Sequence, residues 1–347
     1  MTMAITKGKT DVVKFILDQL LWIILIAIFL FFTFWVGIPK FLSGTNLVNI
    51  LLHATVLGLL VIGQSICLLS KNFDLSAEGT VSLVTVFAAY FMVPIKGFGG
   101  GGGYNISPLI MIPTILLIGC LAGYINGFLI TRFRMNNFIV TLSMQLVLRG
   151  LAYVISGGLQ IDGTPPIFNF LGTGTIGPIP FAIIFTPLCF VAVDWYLKKS
   201  YFGRQLYAVG SNSEAARASG FNPARVVTIA YMISGFMAAM AGWMLLGRVQ
   251  SSYSKLGAGF TLETVAASVI GGISLQGGLG SVGRAFSGVM LLSVVDNGLN
   301  LMDVNPFWVN GIRGFIILLA LVIDSQKVRY KPKVVVSQTQ APVVTKA

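Results

Sequence analysis

Charged side chains are scarce in this chain of 347 residues, of which only 10% are Asp, Glu, Lys or Arg. A soluble domain carries about 25% charged residues and could not cover its surface with so few. Hydrophobic residues make up 55% of the chain and the mean hydropathy is +0.86, which also excludes an intrinsically disordered protein. Since a spanning helix needs about 20 apolar residues, the composition indicates an all-α polytopic membrane protein.

Histidine and cysteine are also rare, and this argues against several classes of enzyme. His53 is the single histidine, and Cys67, Cys120 and Cys189 lie inside apolar runs without paired spacing. These residues favour structural roles over a metal site, a disulfide framework or a catalytic cluster. The G-x-G-x-x-G pattern at Gly278–Gly283 has no βαβ unit around it, and the chain has no G-x-x-x-x-G-K-[ST] motif. We therefore expect a protein without enzymatic activity and without a cofactor of its own.

Long apolar runs predict about ten membrane spans. One of them, Leu262–Leu275, is short and ends in glycines, which is typical of a broken or re-entrant segment. The others are Leu20–Ile38, Val48–Ser70, Thr80–Ile95, Leu109–Ile130, Phe138–Ile155, Ile179–Leu197, Val226–Leu246, Ala285–Met302 and Phe307–Ile323.

The basic residues predict the orientation of these spans. With ten spans, most of the 23 lysines and arginines fall in segments on one side, which the positive-inside rule assigns to the cytoplasm. No basic stripe with interleaved aromatic residues indicates nucleic-acid binding. We expect a bacterial inner-membrane protein with both termini in the cytoplasm. It would consist of an N-terminal segment 1–19, a transmembrane domain 20–325 with a cytoplasmic loop 198–225, and a tail 326–347.

The loop 198–225 contains a short predicted helix with recognisable ends. Ser211 and Glu214 have the spacing of a capping box, in which each side chain binds the backbone N–H of the other residue. Gly220 lies where a helix ends in the left-handed conformation. The body of about eight residues includes Ala215 and Ala216, whose small side chains would let a groove of another protein approach the backbone. The alternative is a plain amphipathic surface helix.

Several motifs follow one another in a characteristic order. Glu214–Gly220 has the pattern E-A-A-x-x-x-G, and the other stretches are Phe73–Thr80, Asn137–Leu142, Arg149–Leu151, Ser156–Gly158, Phe202–Gly220, Gly271–Ser281 and Asp296–Asn300. Together they resemble the permease subunits of bacterial carbohydrate ABC importers of the ribose, xylose and galactose type.

The resemblance implies a ten-helix permease with broken or re-entrant segments, similar to type II ABC importers, that acts as a dimer. It further implies three kinds of partner: a second permease copy or a homologue, two cytosolic ATP-binding subunits, and an extracytoplasmic sugar-binding protein. ATP and Mg²⁺ would bind to the partner subunits, in accord with the missing phosphate-binding loop here. Selectivity would rest largely with the binding protein, so the sugar is left open.

The chain departs from the family pattern at two places. Lys71 and Asn72 stand where two glycines are usual, and Glu78 stands where a small residue is common. In addition, Phe73–Val81 and Ile273–Val282 form a weak internal repeat. Broken helices at matching points of two halves mark pathway sites in transporters.

We therefore predict that the polar residues of this repeat line or gate the route of a solute. They are Asp74, Ser76, Glu78, Ser274 and Gln276. The alternative is that these side chains only cap short helix ends.

Two charged residues are predicted to lie inside the last two spans. Asp296 and Arg313 should each lie about 9 Å below the same membrane surface, because each is a few residues from the connection between these spans. We predict that they pair, either as a structural clip or as part of a proton relay. Since Asp296 is a deep carboxylate, the alternative function is an ion-gradient-driven secondary transporter of a small polar solute.

Overall fold

The structure is a computed structural model that describes residues 21–94, 100–305, 308–309, 311–316 and 318. These residues form a helical bundle with two small two-stranded sheets. The helices are α1 (Leu21–Val36), α2 (Ile38–Phe41), α3 (Gly44–Leu69), α4 (Ala77–Met92), α5 (Pro108–Arg132), α6 (Asn137–Ser156), α7 (Pro166–Thr173), α8 (Phe181–Lys199), α9 (Tyr201–Ser211), α10 (Ser213–Ala218), α11 (Pro223–Val249), α12 (Phe260–Ile270) and α13 (Val282–Leu301). The strands are β1 (Ile161–Asp162), β2 (Thr175–Ile176), β3 (Ile179–Pro180) and β4 (Ser251–Ser252).

The predicted spans coincide with helices. Five of these, α3, α5, α6, α8 and α11, are long and apolar enough to cross a membrane. The predicted last span is helical at residues 308–309, 311–316 and 318, and its remainder lies outside the described residues. The predicted segments 1–19 and 326–347 also lie outside them. The structure is thus consistent with a polytopic membrane protein.

Two helices, α3 and α11, form the centre of the bundle. Their most apolar windows are 83% and 67% buried, whereas the corresponding windows of α5, α6 and α8 are at most 28% buried. The peripheral helices expose large apolar side chains such as Leu109, Leu146 and Leu188. A helix that is apolar all round and exposed on one side is suited to lipid contact.

Close packing of α5 against α11 depends on a row of small residues. Gly119, Gly123 and Gly127 recur every four residues along α5 and face the backbone of α11. A Cβ atom at Gly123 would collide with the carbonyl oxygen of Tyr231. Small residues are favoured in such positions because van der Waals packing of backbones drives the association of helices in lipid.

The bundle has two distinct ends. At one end, which we call the α10 end, the last residues of α3 and α5 and the first residues of α11 surround α9 and α10. At the other end, which we call the β1–β4 end, strand β1 pairs with β4, and α7 packs against the last turns of α11. The indole N–H of Trp243 donates to the carbonyl of Phe168 over 2.8 Å in this contact.

Helices α4 and α12 begin inside the bundle rather than at one of its ends. Asp74, just before α4, contacts Ser234, which lies about 16 Å along α11. Glu78 in the first turn of α4 contacts Gly259, the N-cap of α12, so both helices start at one depth. With 16 and 11 residues they are about 24 and 16 Å long, and neither spans a bilayer of about 30 Å alone.

The predicted short span Leu262–Leu275 therefore corresponds to a half-length helix. A non-helical segment, residues 253–259, precedes it and runs along α4, where the hydroxyl of Ser82 donates to the carbonyl of Ser254 over 2.5 Å. The helix itself ends earlier than predicted, at Ile270, because Gly271 and Gly272 end the regular hydrogen bonding. The expected break is present, and its position is set by these glycines.

Candidate functional site

The short helix of the loop 198–225 is present as α10, but its N-terminal cap differs from the prediction. Asn212, with an extended backbone, accepts hydrogen bonds from the N–H groups of Glu214 and Ala215 through Oδ1, both over 3.0 Å. Ser211 is the last residue of α9 and does not act as a cap. The predicted capping box of Ser211 and Glu214 is therefore wrong, because Asn212 is an equally good cap and stands one position closer.

The C-terminal end of α10 follows the prediction. Gly220 has a φ of 84° and its N–H donates to the carbonyl of Arg217 over 2.9 Å. The N–H of Phe221 donates to the carbonyl of Ala216 over 3.0 Å. This pair of bonds is a Schellman motif, which needs a left-handed residue at the position of Gly220. The helix is nevertheless short, with 6 residues.

Helix α10 is an exposed element. Its residues Glu214, Ala215 and Arg217 are exposed, and Ala216 alone is buried. A cavity of about 560 Å³ lies between α10 and the segment that follows α3. Its cationic lining residues are Lys71, Arg134 and Arg217, so this end of the bundle presents basic side chains next to a short helix.

Helix α9 connects α10 to the end of α3 and to the non-helical segment 271–281 between α12 and α13. The hydroxyl of Tyr207 donates to the carbonyl of Gly280 over 3.0 Å. Burial, and secondarily the charge of Asp194, raises the pKa of the Tyr207 phenol, so the phenol keeps its proton at neutral pH. Gly210 packs against the carbonyl of Leu69 and the N–H of Gly278, which are themselves hydrogen-bonded over 2.9 Å.

The segment 70–76 is held in the bundle by a buried polar cluster. Asp74 is 1% exposed and accepts hydrogen bonds from the N–H and hydroxyl of Ser76 over 2.9 and 2.6 Å. The hydroxyl of Ser234 donates to the other carboxylate oxygen over 2.6 Å, and the amide of Asn126 donates to the hydroxyl of Ser76 over 2.8 Å. Asp74 and Ser76 therefore cross-link the segment to α5 and α11.

The two departures of this segment from the family pattern also have structural partners. Lys71 has a left-handed backbone with a φ of 64°, and its side chain packs against Gly277. The amide of Asn137 donates to Oδ1 of Asn72 over 3.0 Å, which joins the segment to the start of α6. Lys71 and Asn72 thus take part in the contacts at the α10 end.

Glu78 lies where α4, α6 and α12 meet. One carboxylate oxygen forms an ion pair with Arg149 of α6. The other oxygen accepts the N–H groups of Gly259 and Thr261, at the start of α12, over 3.0 and 3.4 Å. The predicted gate residue Glu78 is thus fully paired, and only 5% of its surface is exposed. Arg149 lies in the motif Arg149–Leu151, and nothing in the sequence pattern indicates its partner.

The second interrupted segment, 271–281, contains Ser274 and Gln276. Ser274 is buried and its hydroxyl accepts the N–H of Gln276 over 3.2 Å, whereas Gln276 is exposed. At the end of this segment, Asp194 of α8 accepts the hydroxyl of Ser281 over 2.7 Å and the N–H of Gly283 over 3.0 Å. Asp194 thus caps α13 from another helix, a role that the sequence indicates only by placing an acid in a span.

The predicted pair of Asp296 and Arg313 is present, with 2.7 Å between Oδ1 and Nε. A third residue completes it: Oε1 of Glu263 lies 2.5 Å from Nη1 of Arg313. Glu263 and Asp296 are both buried, and each keeps one carboxylate oxygen without a partner in the described structure. Glu263 was not predicted to take part, although an acid in the first turn of a predicted apolar helix is a signal for such a role.

The predicted residues thus fall into separate groups. Asp74 and Ser76 share one buried cluster, Glu78 lies with Arg149, and Asp296 lies with Arg313 and Glu263. Ser274 and Gln276 lie nearer α9, at the α10 end. In the residues that the structure describes, no group of His, Cys, Asp and Glu side chains could hold a metal ion.

These features define a class of protein: a membrane permease, whose interrupted helices lie inside a bundle and are linked to an exposed helix at one end. Comparison with known families agrees with this class. The chain belongs to the family described as "Branched-chain amino acid transport system / permease component", whose model matches residues 46–321.

Several characterised relatives are similar over most of their length. The L-arabinose transport system permease protein AraH of Escherichia coli strain K12 is 32% identical over 324 residues, which are 91% of this chain and 92% of AraH. The ribose import permease protein RbsC of Bacillus subtilis strain 168 is 34% identical over 291 residues, which are 83% of this chain and 87% of RbsC. The galactose/methyl galactoside import permease protein MglC of Haemophilus influenzae is 33% identical, with coverages of 83% and 89%. No solved structure matches the chain.

The cap of α10 can be tested by substitution. We expect Asn212→Ala to destabilise α10 by about 1 kcal/mol, because two N–H groups lose their acceptor, and to speed amide exchange there about fivefold. Ser211→Ala is the matched control and should leave exchange unchanged. Hydrogen–deuterium exchange of the purified protein measures both. Equal effects of the two substitutions would restore the capping box and contradict the structure.

The buried cluster around Arg313 predicts a large loss of stability. Arg313→Met leaves Asp296 and Glu263 without their cation, which costs about 3–5 kcal/mol for a buried pair. Lys198→Met removes the cation of an exposed pair with Asp194 and should cost about 0–1 kcal/mol. Denaturant unfolding in detergent measures both variants. If Arg313→Met were as mild as Lys198→Met, the cluster would not be a structural clip.

Proposed function

We propose that this chain is the transmembrane permease subunit of an ATP-driven importer of a small sugar. The observation that carries the proposal is α10, a capped and exposed helix at one end of a membrane bundle whose sequence has no phosphate-binding loop of its own. Such an element suits a contact through which another protein's nucleotide cycle acts. Relatives that import L-arabinose, ribose and galactose support a sugar as cargo rather than an amino acid.

The proposal includes an orientation and a set of partners. The α10 end would face the cytoplasm of a bacterial inner membrane, and both termini would lie on that side; the basic lining of the adjacent cavity supports this by the positive-inside rule. Two cytosolic subunits would bind ATP and Mg²⁺ and contact α10. A second permease copy or a homologue would complete the membrane part, and a sugar-binding protein would dock at the β1–β4 end.

Helix α9 supplies a physical connection between the ATPase contact and the interior. A displacement of α10 would move α9, whose residues Tyr207 and Gly210 contact the segment 271–281 and the last residue of α3, Leu69, just before the segment 70–76. ATP binding in the partner subunits would then favour one of two arrangements of these segments, which is the differential interaction that alternating access requires. The segments would shift as units, since Asp74 and Asp194 hold their ends by hydrogen bonds.

Within this mechanism we retain the pathway or gate role for the polar residues of the repeat, Asp74, Ser76, Glu78, Ser274 and Gln276. Asp74 and Ser76 would act by holding the break before α4 in place, since both are buried. Gln276 would act more directly, since it is exposed at the break before α13. This division of roles follows from burial, and transport measurements test it.

Reconstitution tests the proposed function. The permease is purified with the ATPase and binding-protein products of the genes that adjoin its own, and uptake of L-arabinose, ribose and galactose into proteoliposomes is measured. We expect uptake to need ATP on the α10 side and the binding protein on the other. An ATPase partner without its P-loop lysine is the control and should abolish uptake. Uptake by the permease alone, driven by a proton or sodium gradient, would instead identify a secondary transporter.

The gate residues predict a pair of variants with different signatures. Gln276→Ala should lower uptake while leaving stability unchanged, because this side chain is exposed. Asp74→Ala should lower uptake and also destabilise the protein by about 1–3 kcal/mol, because it leaves buried hydroxyl and N–H groups without an acceptor. Both are measured in the reconstituted complex, with the amount of inserted protein as control. Unchanged uptake in both variants, with normal insertion, would contradict the gate role.

A further inference from the structure

The ion pair of Glu78 and Arg149 lies on a surface of the bundle that cannot face lipid. Arg149 lies on the peripheral helix α6, about 18 Å from its first residue and about 10 Å from its last, which is within the hydrocarbon depth. Its side chain nevertheless keeps 30% of its surface exposed. Charged side chains inside membranes face protein or a water-filled cavity, because exposure to hydrocarbon is costly.

The backbone beside this pair leads to the same conclusion independently. Ala258 and Gly259 precede α12, are not helical and are exposed. They lie at the depth of Glu78, since the N–H of Gly259 donates to its carboxylate over 3.0 Å. Non-helical backbone is tolerated at this depth only where protein covers it or where it lines a water-filled cavity. The exposed faces of Arg149, Ala258 and Gly259 thus belong to one polar surface.

Glu78 and Arg149 differ in how many of their hydrogen-bonding groups have partners. Both carboxylate oxygens of Glu78 are engaged, one by Arg149 and the other by the start of α12. The guanidinium of Arg149 uses Nη2 for the pair, its Nε–H is buried without a partner in the described structure, and the side chain as a whole is 30% exposed. Because a guanidinium carries five N–H donors in a fixed plane, Arg149 retains donors for the hydroxyl oxygens of a solute.

We infer that Arg149 and Glu78 line the route of the solute and that Glu78 restricts this point to neutral polyhydroxyl cargo. This inference rests on the proposed function. An arginine beside the N-terminus of α12 would by itself form a site for anions, such as sugar carboxylates or phosphates. Glu78 occupies that site with its own carboxylate and cancels the charge, so that a neutral sugar binds through its hydroxyls and an anionic sugar finds no uncompensated cation.

The first experiment tests whether water reaches this surface. A cysteine-free chain, with alanine at Cys67, Cys120 and Cys189, receives Ala258→Cys or, as the control, Leu188→Cys on the exposed apolar face of α8. A charged, membrane-impermeant methanethiosulfonate is applied to both sides of the reconstituted complex. We expect Ala258→Cys to be labelled and Leu188→Cys to remain unlabelled. No labelling of Ala258→Cys would overturn the inference.

The second experiment tests the charge selectivity through protection of Ala258→Cys from the reagent. Neutral L-arabinose and its anionic aldonate, L-arabinonate, are the probes. With Glu78→Gln added, we expect L-arabinonate to protect at a concentration about tenfold lower than in the parent, because an uncompensated cation remains. Glu78→Asp keeps the charge and should behave as the parent does. The double variant Glu78→Gln with Arg149→Gln is neutral again and should lose the anion effect.

These outcomes separate the inference from the proposed function. Labelling and protection do not depend on ATP hydrolysis, so ATP-driven uptake with an unlabelled Ala258→Cys contradicts the inference alone. Labelling with unaltered protection by L-arabinonate in Glu78→Gln contradicts the charge selectivity. The expected protection together with gradient-driven uptake would contradict the proposed function and leave the polar surface in place.

Discussion

A lipid bilayer contains no water that could bind backbone N–H and C=O groups, so protein has to cover each break of a helix at membrane depth. This constraint explains the contacts of the segment 70–76 before α4 and of the non-helical residues before α12. Asp74 takes up the N–H and hydroxyl of Ser76, and Glu78 takes up the N–H groups of Gly259 and Thr261. Helices α4 and α12 can therefore begin within the bundle.

The lipid bilayer also constrains where the charged side chains lie, because an unpaired charge inside it is costly. The pairs formed by Glu78 with Arg149, and by Asp296 and Glu263 with Arg313, bring together residues from different helices inside an otherwise apolar bundle. Buried ion pairs add little stability relative to apolar packing, but removing one partner is costly. Their presence in a chain with only 10% charged residues therefore points to roles in transport or in the register of the helices.

The geometry also relates the surface of the protein to its interior. Helix α10 is exposed at one end of the bundle, and α9 joins it to the segment 271–281 between α12 and α13 and to Leu69, the last residue of α3. A packed helix transmits displacement because protein interiors are close-packed and resist compression. A motion imposed on α10 from outside would thus reach the middle of the membrane through few contacts.

Much of the architecture follows from local properties of the sequence. The spans are predicted by length and apolarity, Gly220 by the left-handed end of a helix, and the contact of Asp296 with Arg313 by equal depth in neighbouring spans. The tertiary structure alone decided that Asn212 rather than Ser211 caps α10 and that Glu263 joins Arg313. It also decided that Glu78 meets Arg149, which is 71 residues away. Hydropathy identifies the spans and so determines the approximate depth of each residue in the membrane. Helix rotation and packing determine which side chains meet, and these depend on the tertiary structure.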